Sequence, residues 1–313
     1  MIIGNPTNFS ALLSDSLAKR EYEIIAFFDP NSSRQLFSNL AKYGLITDFD
    51  KLKKILRKEG INTLTFTPES YKNEELAKNF FLNFPPQFNF VNFTDFYESL
   101  TKKVPLEAID ELWFLENISR VEKKLDEILK RGFDILFSLI GLSVVAMLFP
   151  FISICIKLDS PGPIFFLQKR VGRNGKTFTL YKFRTMKADP NQEKEFWREK
   201  DESQVTGVGK FLRRFYVDEL PQFLNIFKGD ISFVGPRPEW VRLAKMFEKE
   251  IPFYSFRYII RPGLTGWAQL NFPASSSIEE AKEKFQYDLY YIKNRSFFFD
   301  LAIILKTFRL LLK

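Results

Sequence analysis

The stretch ILFSLIGLSVVAMLFPFISICI, Ile135–Ile156, decides how the rest of the chain is read. It carries no charge over about 22 residues, and at ~1.5 Å per residue a helix of that length reaches about 33 Å, enough to cross a hydrocarbon core. Pro150 lies inside it. Proline lacks the backbone donor and its ring presses on the preceding turn, so a kink or break is expected near Phe149. Both flanks are basic, with Lys130 and Arg131 before the run and Lys157, Lys169, Arg170 and Arg173 after it. A straight span would put one basic flank on the wrong side of a membrane. A helix over about 134–157 that enters, bends at Pro150 and leaves keeps both flanks cytoplasmic. The competing reading, a core helix of a soluble domain, normally shows a polar face.

Further along, 296–313 is a second membrane candidate. Phe297, Phe298, Phe299, Leu301, Ile303, Ile304, Leu305 and Phe308 dominate it, while Lys306, Arg309 and Lys313 recur at helical spacing. That is the pattern of a helix lying in the interface, and equally of an amphipathic helix docked on the protein core. Before the apolar run, short apolar segments (Met1–Gly4, Glu23–Phe28, Ile61–Phe66 and Phe88–Phe93) alternate with helical stretches at Asp50–Glu59 and Asn73–Phe84. The alternation reads as an α/β, Rossmann-like domain over 1–94. Its first turn, Gly4-Asn5-Pro6-Thr7, lacks the G-x-G-x-x-G that lets a backbone approach a pyrophosphate, so nucleotide binding is not expected there. Residues 95–120 read as a linker with short helices, and 121–313 as a mainly α catalytic domain with a small β-hairpin and the re-entrant helix.

Composition narrows the chemistry. Among 313 residues, 46 Lys and Arg face 38 Asp and Glu, a formal charge of +8 that suits anionic partners without choosing among them. There is no histidine, which removes His-based triads, His proton shuttles and His-ligated zinc. The one cysteine, Cys155, lies inside the apolar run and allows no disulfide framework within the chain. No basic, apolar, small-residue sequence opens the chain, so a secretory signal peptide is not expected. A nucleic-acid binder would explain the pI of 9.3, but no recognition motif accompanies the charge.

Catalysis must therefore use carboxylates, Lys, Arg, Tyr, Ser or a hard metal ion. The strongest cluster is Tyr216-Val217-Asp218-Glu219-Leu220-Pro221-Gln222, followed by a run to Lys228-Gly229. Pro221 suits a first helical turn and Gly229 a C-terminal cap, so a short helix is expected to start around Asp218 to Leu220. Asp218 would then either cap it or sit at an anion site made by its free N–H groups. Cations held by Gly and Pro recur at Gln168 to Gly175, a turn between strands, at Tyr181 to Met186, at Gly235-Pro236-Arg237-Pro238 and at Arg261-Pro262-Gly263. Singly each reads as a turn; together they suggest a cleft for a polyanion.

Taken together, Lys157 to Gln168, Lys182 to Met186, Asp218 to Gln222, Lys228 to Pro238 and Arg261 to Asn271 closely resemble the bacterial sugar transferases of the monotopic phosphoglycosyltransferase superfamily. The resemblance covers about 130–313, and Phe96 to Leu100 through Trp113 to Leu115 is similar to the larger members, in which a Rossmann-like domain precedes the catalytic one. Those members usually begin with a bundle of transmembrane helices, and none is read here before Asp134. The resemblance implies transfer of a sugar-1-phosphate from a UDP-sugar to polyprenyl phosphate with release of UMP, at the cytoplasmic face of the bacterial inner membrane. Asp218 would be the nucleophile and Glu219 would serve Mg²⁺ or proton handling. By the same matching Lys182, Arg184, Arg237 and Arg261 would hold phosphates, Asp288 would join Asp218 and Glu219 around Mg²⁺, and Pro150 would break the re-entrant helix. A homodimer is left open. The chain departs from the pattern at Phe215-Tyr216-Val217, bulkier than the small polar residues expected, and at Gln204 to Gly207, less cationic; both bear on the sugar. A transferase of the sugar alone, or a catalytically silent membrane adaptor, are the rival readings.

Overall fold

The computed structural model describes residues 2–3, 26–28, 44–46, 48–61, 63–67, 70, 73–84, 88–118, 124–187, 202–272 and 277–311. It divides into two compact units, Met1–Ser119 and Arg120–Lys313. The turn Gly4 to Thr7 and the terminal Lys313 lie outside the described residues.

The N-terminal unit is a mixed α/β unit. Five short strands, β1 (Ile2–Ile3), β2 (Ala26–Phe28), β3 (Gly44–Ile46), β4 (Thr63–Phe66) and β5 (Asn89–Asn92), pair in parallel in the order β3-β2-β1-β4-β5. Helix α1 (Phe49–Lys58) starts where the Asp48 carboxylate accepts the Asp50 N–H at 2.7 Å, and α2 (Glu74–Asn83) where Asn73 accepts from Leu76. Their apolar faces supply Leu52, Leu56, Leu76 and Phe80, which close on Leu64 and Phe66 of β4. Strand β3 had no counterpart in the sequence reading, because three residues are too few to show alternation. The segment read as a linker forms α3 (Phe93–Thr101), a 3₁₀ turn at Leu106–Ala108 and α4 (Glu111–Asn117), and buries Tyr97, Val104, Trp113 and Phe114.

The second unit is mostly helical. Helix α5 (Lys124–Asp159) runs 36 residues, about 54 Å, and contains the whole apolar run. Of the kink or break expected near Phe149, a break does not occur: the helix is continuous through Pro150. A proline deletes one backbone bond, a loss that a long apolar helix tolerates where neighbouring groups take up the freed carbonyl. One side of α5 is open, with Leu136, Ile140, Met147, Phe151, Ile154 and Leu158 exposed. The other packs on the unit: Phe133 meets Phe233, and Phe149 stacks in a column with Phe165 and Phe183. A Cβ on Gly141 would lie 2.5 Å from the Phe223 ring, so that contact admits only glycine.

Strands β6 (Phe165–Val171) and β7 (Thr177–Phe183) form the antiparallel hairpin, turning through Asn174 and Gly175, both with positive φ. Next come α6 (Gly207–Arg214), α7 (Gln222–Lys228), β8 (Ser232–Val234), α8 (Val241–Glu250), β9 (Gly263–Thr265), α9 (Trp267–Asn271), α10 (Ile278–Asn294) and α11 (Phe297–Leu311). Strands β8 and β9 pair in parallel, and Gly263 N–H donates to the Pro236 carbonyl at 2.9 Å. Two motifs far apart in sequence, Gly235 to Pro238 and Arg261 to Gly263, thereby lie side by side. Helix α11 is docked through Asp300 and Ile303, with Lys306 over the Trp267 ring, yet exposes Phe298, Leu305, Phe308 and Leu310. Of the two expectations for 296–313, the contacts show the docked helix, and its open side stays apolar.

Candidate active site

Asp218 and Glu219 sit on a 3₁₀ turn, Val217–Glu219, entered through Tyr216 at φ 54°, a left-handed conformation that side chains other than glycine rarely adopt. Helix α7 begins only at Gln222, four residues past Asp218, so Asp218 caps nothing. The expected helix start is thereby corrected: the turn before Pro221 tightens to 3₁₀, with Leu220 N–H bonded to the Val217 carbonyl. The end of α7 is as expected, Gly229 adopting φ 87° as its cap. Arg131 of α5 adds to that cap by donating to the Ile226 and Phe227 carbonyls at 2.8 and 2.7 Å, a cation at the negative end of the helix. Within α7 the fully buried Asn225 accepts from Tyr181 N–H and donates to the Thr179 carbonyl and the Asp230 carboxylate, tying the helix to β7.

That tie brings Lys182, on β7, to the acidic pair. Lys182 Nζ and Arg237 Nη2 donate to the same Glu219 oxygen, Oε1, at 2.8 and 3.0 Å. Of the two cations Arg237 is the more open, its side chain 37% exposed against 18% for Lys182. Burial alone would raise the Glu219 carboxyl; Arg237 and Lys182 overcome it and pull the group down to about 2. Asp218 differs. It is buried, no cation among the described residues lies within ion-pair distance of it, and burial, with the Glu219 charge adding to it against Lys182, raises its carboxyl. One acid is committed to organising two cations; its neighbour is left uncommitted.

The remaining candidates are not at this pair. Arg184 is buried at the end of α5, where it donates to the Pro161 and Ser160 carbonyls and the Ser160 hydroxyl. Arg261 lies beside Arg237 in backbone but turns its side chain to Glu127 of α5, at 3.0 Å. Asp288, on α10, is paired with Arg257 at 2.7 Å, both side chains only 2% exposed. Arg257 also donates to Glu239 and to the Arg237 carbonyl, so Asp288 reaches the site only through a chain of bonds that steadies the Arg237 loop. Arg257 and Asn225 escaped the sequence reading; the available signal was a polar side chain on an otherwise apolar helix or turn face. Among the described residues no three acidic, histidine or cysteine side chains gather as a metal site. A cleft of about 810 Å³ opens beside the pair, lined by Glu219, Arg237, Arg170 and Lys284 together with apolar residues of β9 and α11. A buried, uncommitted carboxylate next to two acid-held cations, on a unit with a long exposed apolar helix, suits transfer of a phosphoryl group at an apolar surface.

Comparison with known proteins agrees. The profile of the family described as bacterial sugar transferase matches residues 125–313. An Aeromonas hydrophila UDP-N-acetylgalactosamine-undecaprenyl-phosphate N-acetylgalactosaminephosphotransferase is 40% identical over 215 residues, 69% of this chain and 50% of that one. An Escherichia coli UDP-glucose:undecaprenyl-phosphate glucose-1-phosphate transferase is 37% identical over 58% of this chain and 40% of its own length. An exopolysaccharide production protein, PSS, of Rhizobium leguminosarum is 40% identical over 58% of this chain and 94% of its own length. The chain belongs to the bacterial sugar transferase family. It spans half or less of the length of the first two of these relatives.

Proposed function

We propose that the chain transfers a sugar-1-phosphate from a UDP-sugar to polyprenyl (undecaprenyl) phosphate and releases UMP, as the first membrane step of exopolysaccharide, capsule or O-antigen synthesis. The observation that carries the reading is the division of labour between the two acids. Asp218 attacks the β-phosphorus as a carboxylate: an Oδ–P bond forms, the bond to the bridging oxygen breaks, and UMP leaves with the electron pair. A carboxylate nucleophile needs no base to remove a proton, which fits a chain without histidine. An oxygen of polyprenyl phosphate then attacks the same phosphorus and frees Asp218. Lys182 and Arg237, held by Glu219, face the phosphoryl oxygens; Arg184, Arg261 and Asp288 support the fold around them. Glu219 keeps one carboxylate oxygen away from its cations, so with Asp218 and the substrate phosphates it fits the sparse protein ligation usual for Mg²⁺, which would neutralise pyrophosphate charge.

The same reading places the chain on the cytoplasmic face of the inner membrane, with α5 bending at Pro150 without interruption so that it enters and leaves by one side. Its two ends are bonded into one unit: Lys130 and Arg131 to β8, α7 and α11, and Asp159 to the Val208 N–H of α6 at 2.8 Å. A helix held at both ends by the same unit favours dipping into the near leaflet over crossing to the far side. The parallel sheet of the N-terminal unit is read as Rossmann-like, without nucleotide binding. The test is incubation of the purified protein with UDP-sugars and no lipid. About one UMP per active site and a mass increase equal to the sugar phosphate on the Asp218 peptide are expected. UMP that appears only when polyprenyl phosphate is added, with no adduct trapped, would refute the covalent route.

A further inference from the structure

The cleft beside the acidic pair has two chemically unlike walls. One carries Glu219 and Arg237. The other comes from Leu264 and Thr265 on β9, Gln269 and Leu270 on α9, and Ile304, Thr307, Phe308 and Leu311 on α11. Thr307 is the one polar residue that α11 contributes, and its hydroxyl is already occupied, lying 2.8 Å from the Thr265 hydroxyl and donating to the Ile303 carbonyl. Lys306, the nearest cation on the helix, is turned away onto Trp267. A nucleotide or a sugar laid along the α11 face would find its polar groups unmatched by that helix, at a cost of about 1–3 kcal/mol for each one buried without a partner. An apolar chain would find the reverse.

We infer that the α11 wall receives the first isoprene units of the acceptor, with its phosphate at Arg237 and its chain running along Ile304 and Phe308. The inference rests on the function proposed above and adds where the lipid lies. Three features favour this occupant over a partner protein. The apolar wall is continuous with the charged end that holds the reacting phosphate, so a single amphiphile fills both. The wall reaches the surface at the end of α11, where Phe308 and Leu310 are 60% and 53% exposed, which gives a long chain a lateral way out into a bilayer. The cleft volume of about 810 Å³ lies within the ~300–1,000 Å³ of pockets for small ligands, room for a head and a few isoprene units and not for a protein element.

Two residues on one helix separate this idea from simple membrane attachment. Phe308 lines the cleft, whereas Leu305, 70% exposed, does not. In the full chain, solubilised in detergent with polyprenyl phosphate in mixed micelles, Phe308→Asp should raise the acceptor KM by about tenfold or more. Leu305→Asp should leave it within about twofold of the parent. The amplitude of the UMP burst without lipid reports a folded catalytic centre in each variant. Should the aspartate variant lack that burst, Phe308→Ala replaces it, with a rise of about threefold expected. An unchanged acceptor KM at position 308 overturns the inference, and so does an equal rise at 305, which would assign the effect to contact of α11 with the micelle. A parent protein that gives no burst at all would instead remove the proposed function.

Discussion

Glu219→Gln tests the claim that Glu219 exists to hold two cations. The carboxyl is drawn from its ordinary 4.5 to about 2, and its side chain is only 16% exposed. At about 1.4 kcal/mol per pH unit, that corresponds to about 3 kcal/mol of net stabilisation of the ionised form. The amide retains the shape and one acceptor but leaves Lys182 and Arg237 facing each other without a charge between them. The variant should therefore lose about 3 kcal/mol at pH 7. Because the folded-state value is depressed, this contribution is complete above pH 4.5 and disappears as the pH falls toward 2. The difference between parent and variant should thus stay level from pH 7 to about 5 and shrink to roughly half near pH 3. Urea denaturation of the detergent-solubilised chain, followed by the fluorescence of Trp240 and Trp267 in this unit, measures it. A loss below about 1 kcal/mol, or one of equal size at pH 7 and pH 3, would refute the reasoning: the cations would then be held by something other than Glu219.

Two further outcomes follow from the same geometry. Asp218→Asn should abolish UMP release and yet raise the melting temperature at neutral pH, because burial lifts the Asp218 carboxyl and its ionised form is a cost to the fold. That gain should fade as the pH drops through the ordinary carboxylate range, and a lower melting temperature at pH 7 would contradict it. Single cysteines at Leu125 and Lys176, in a Cys155→Ser background, should both resist an impermeant thiol reagent applied outside intact cells, whereas labelling at only one establishes a spanning helix.

Local chemistry was enough to read some elements from the sequence. The uncharged run of α5, the Gly-containing turn between β6 and β7, and Gly229 at the end of α7 each announce themselves within a few residues. Which cation meets which acid is a different matter. Lys182, Arg184, Arg237 and Arg261 all occur in Gly- or Pro-bounded stretches and are alike on paper. Their partners are set by tertiary contacts, and the structure sends two to Glu219, one to the end of α5 and one to Glu127. Asp288 was equally ambiguous, since only the fold reveals that the buried Arg257 reaches it. At Pro150 the sequence rule allows a kink or a break, and only the break is excluded by the continuous helix.

The anchoring of α5 at both ends has a consequence for catalysis at a membrane. An enzyme that joins a soluble donor to a lipid must keep its reacting carboxylate at a fixed depth relative to the bilayer, because an error of about 1 Å in a near-attack geometry can cost two orders of magnitude in rate. Here the turn bearing Asp218 leads directly into α7, and α7 is fastened to α5 twice, by Arg131 at its C-terminal carbonyls and by the glycine-only contact of Gly141 with Phe223. The far end of α5 is fastened too, its Asp159 capping α6 and its Ser160 held by Arg184, and α6 leads through Phe215 and Tyr216 back to the same turn. Asp218 is thus suspended between two elements, each tied to a different part of the apolar helix. If α5 lies in lipid and Asp218 reacts as proposed, the carboxylate follows the depth of the helix, and the Arg184 and Arg131 bonds that look remote from the chemistry would transmit the position.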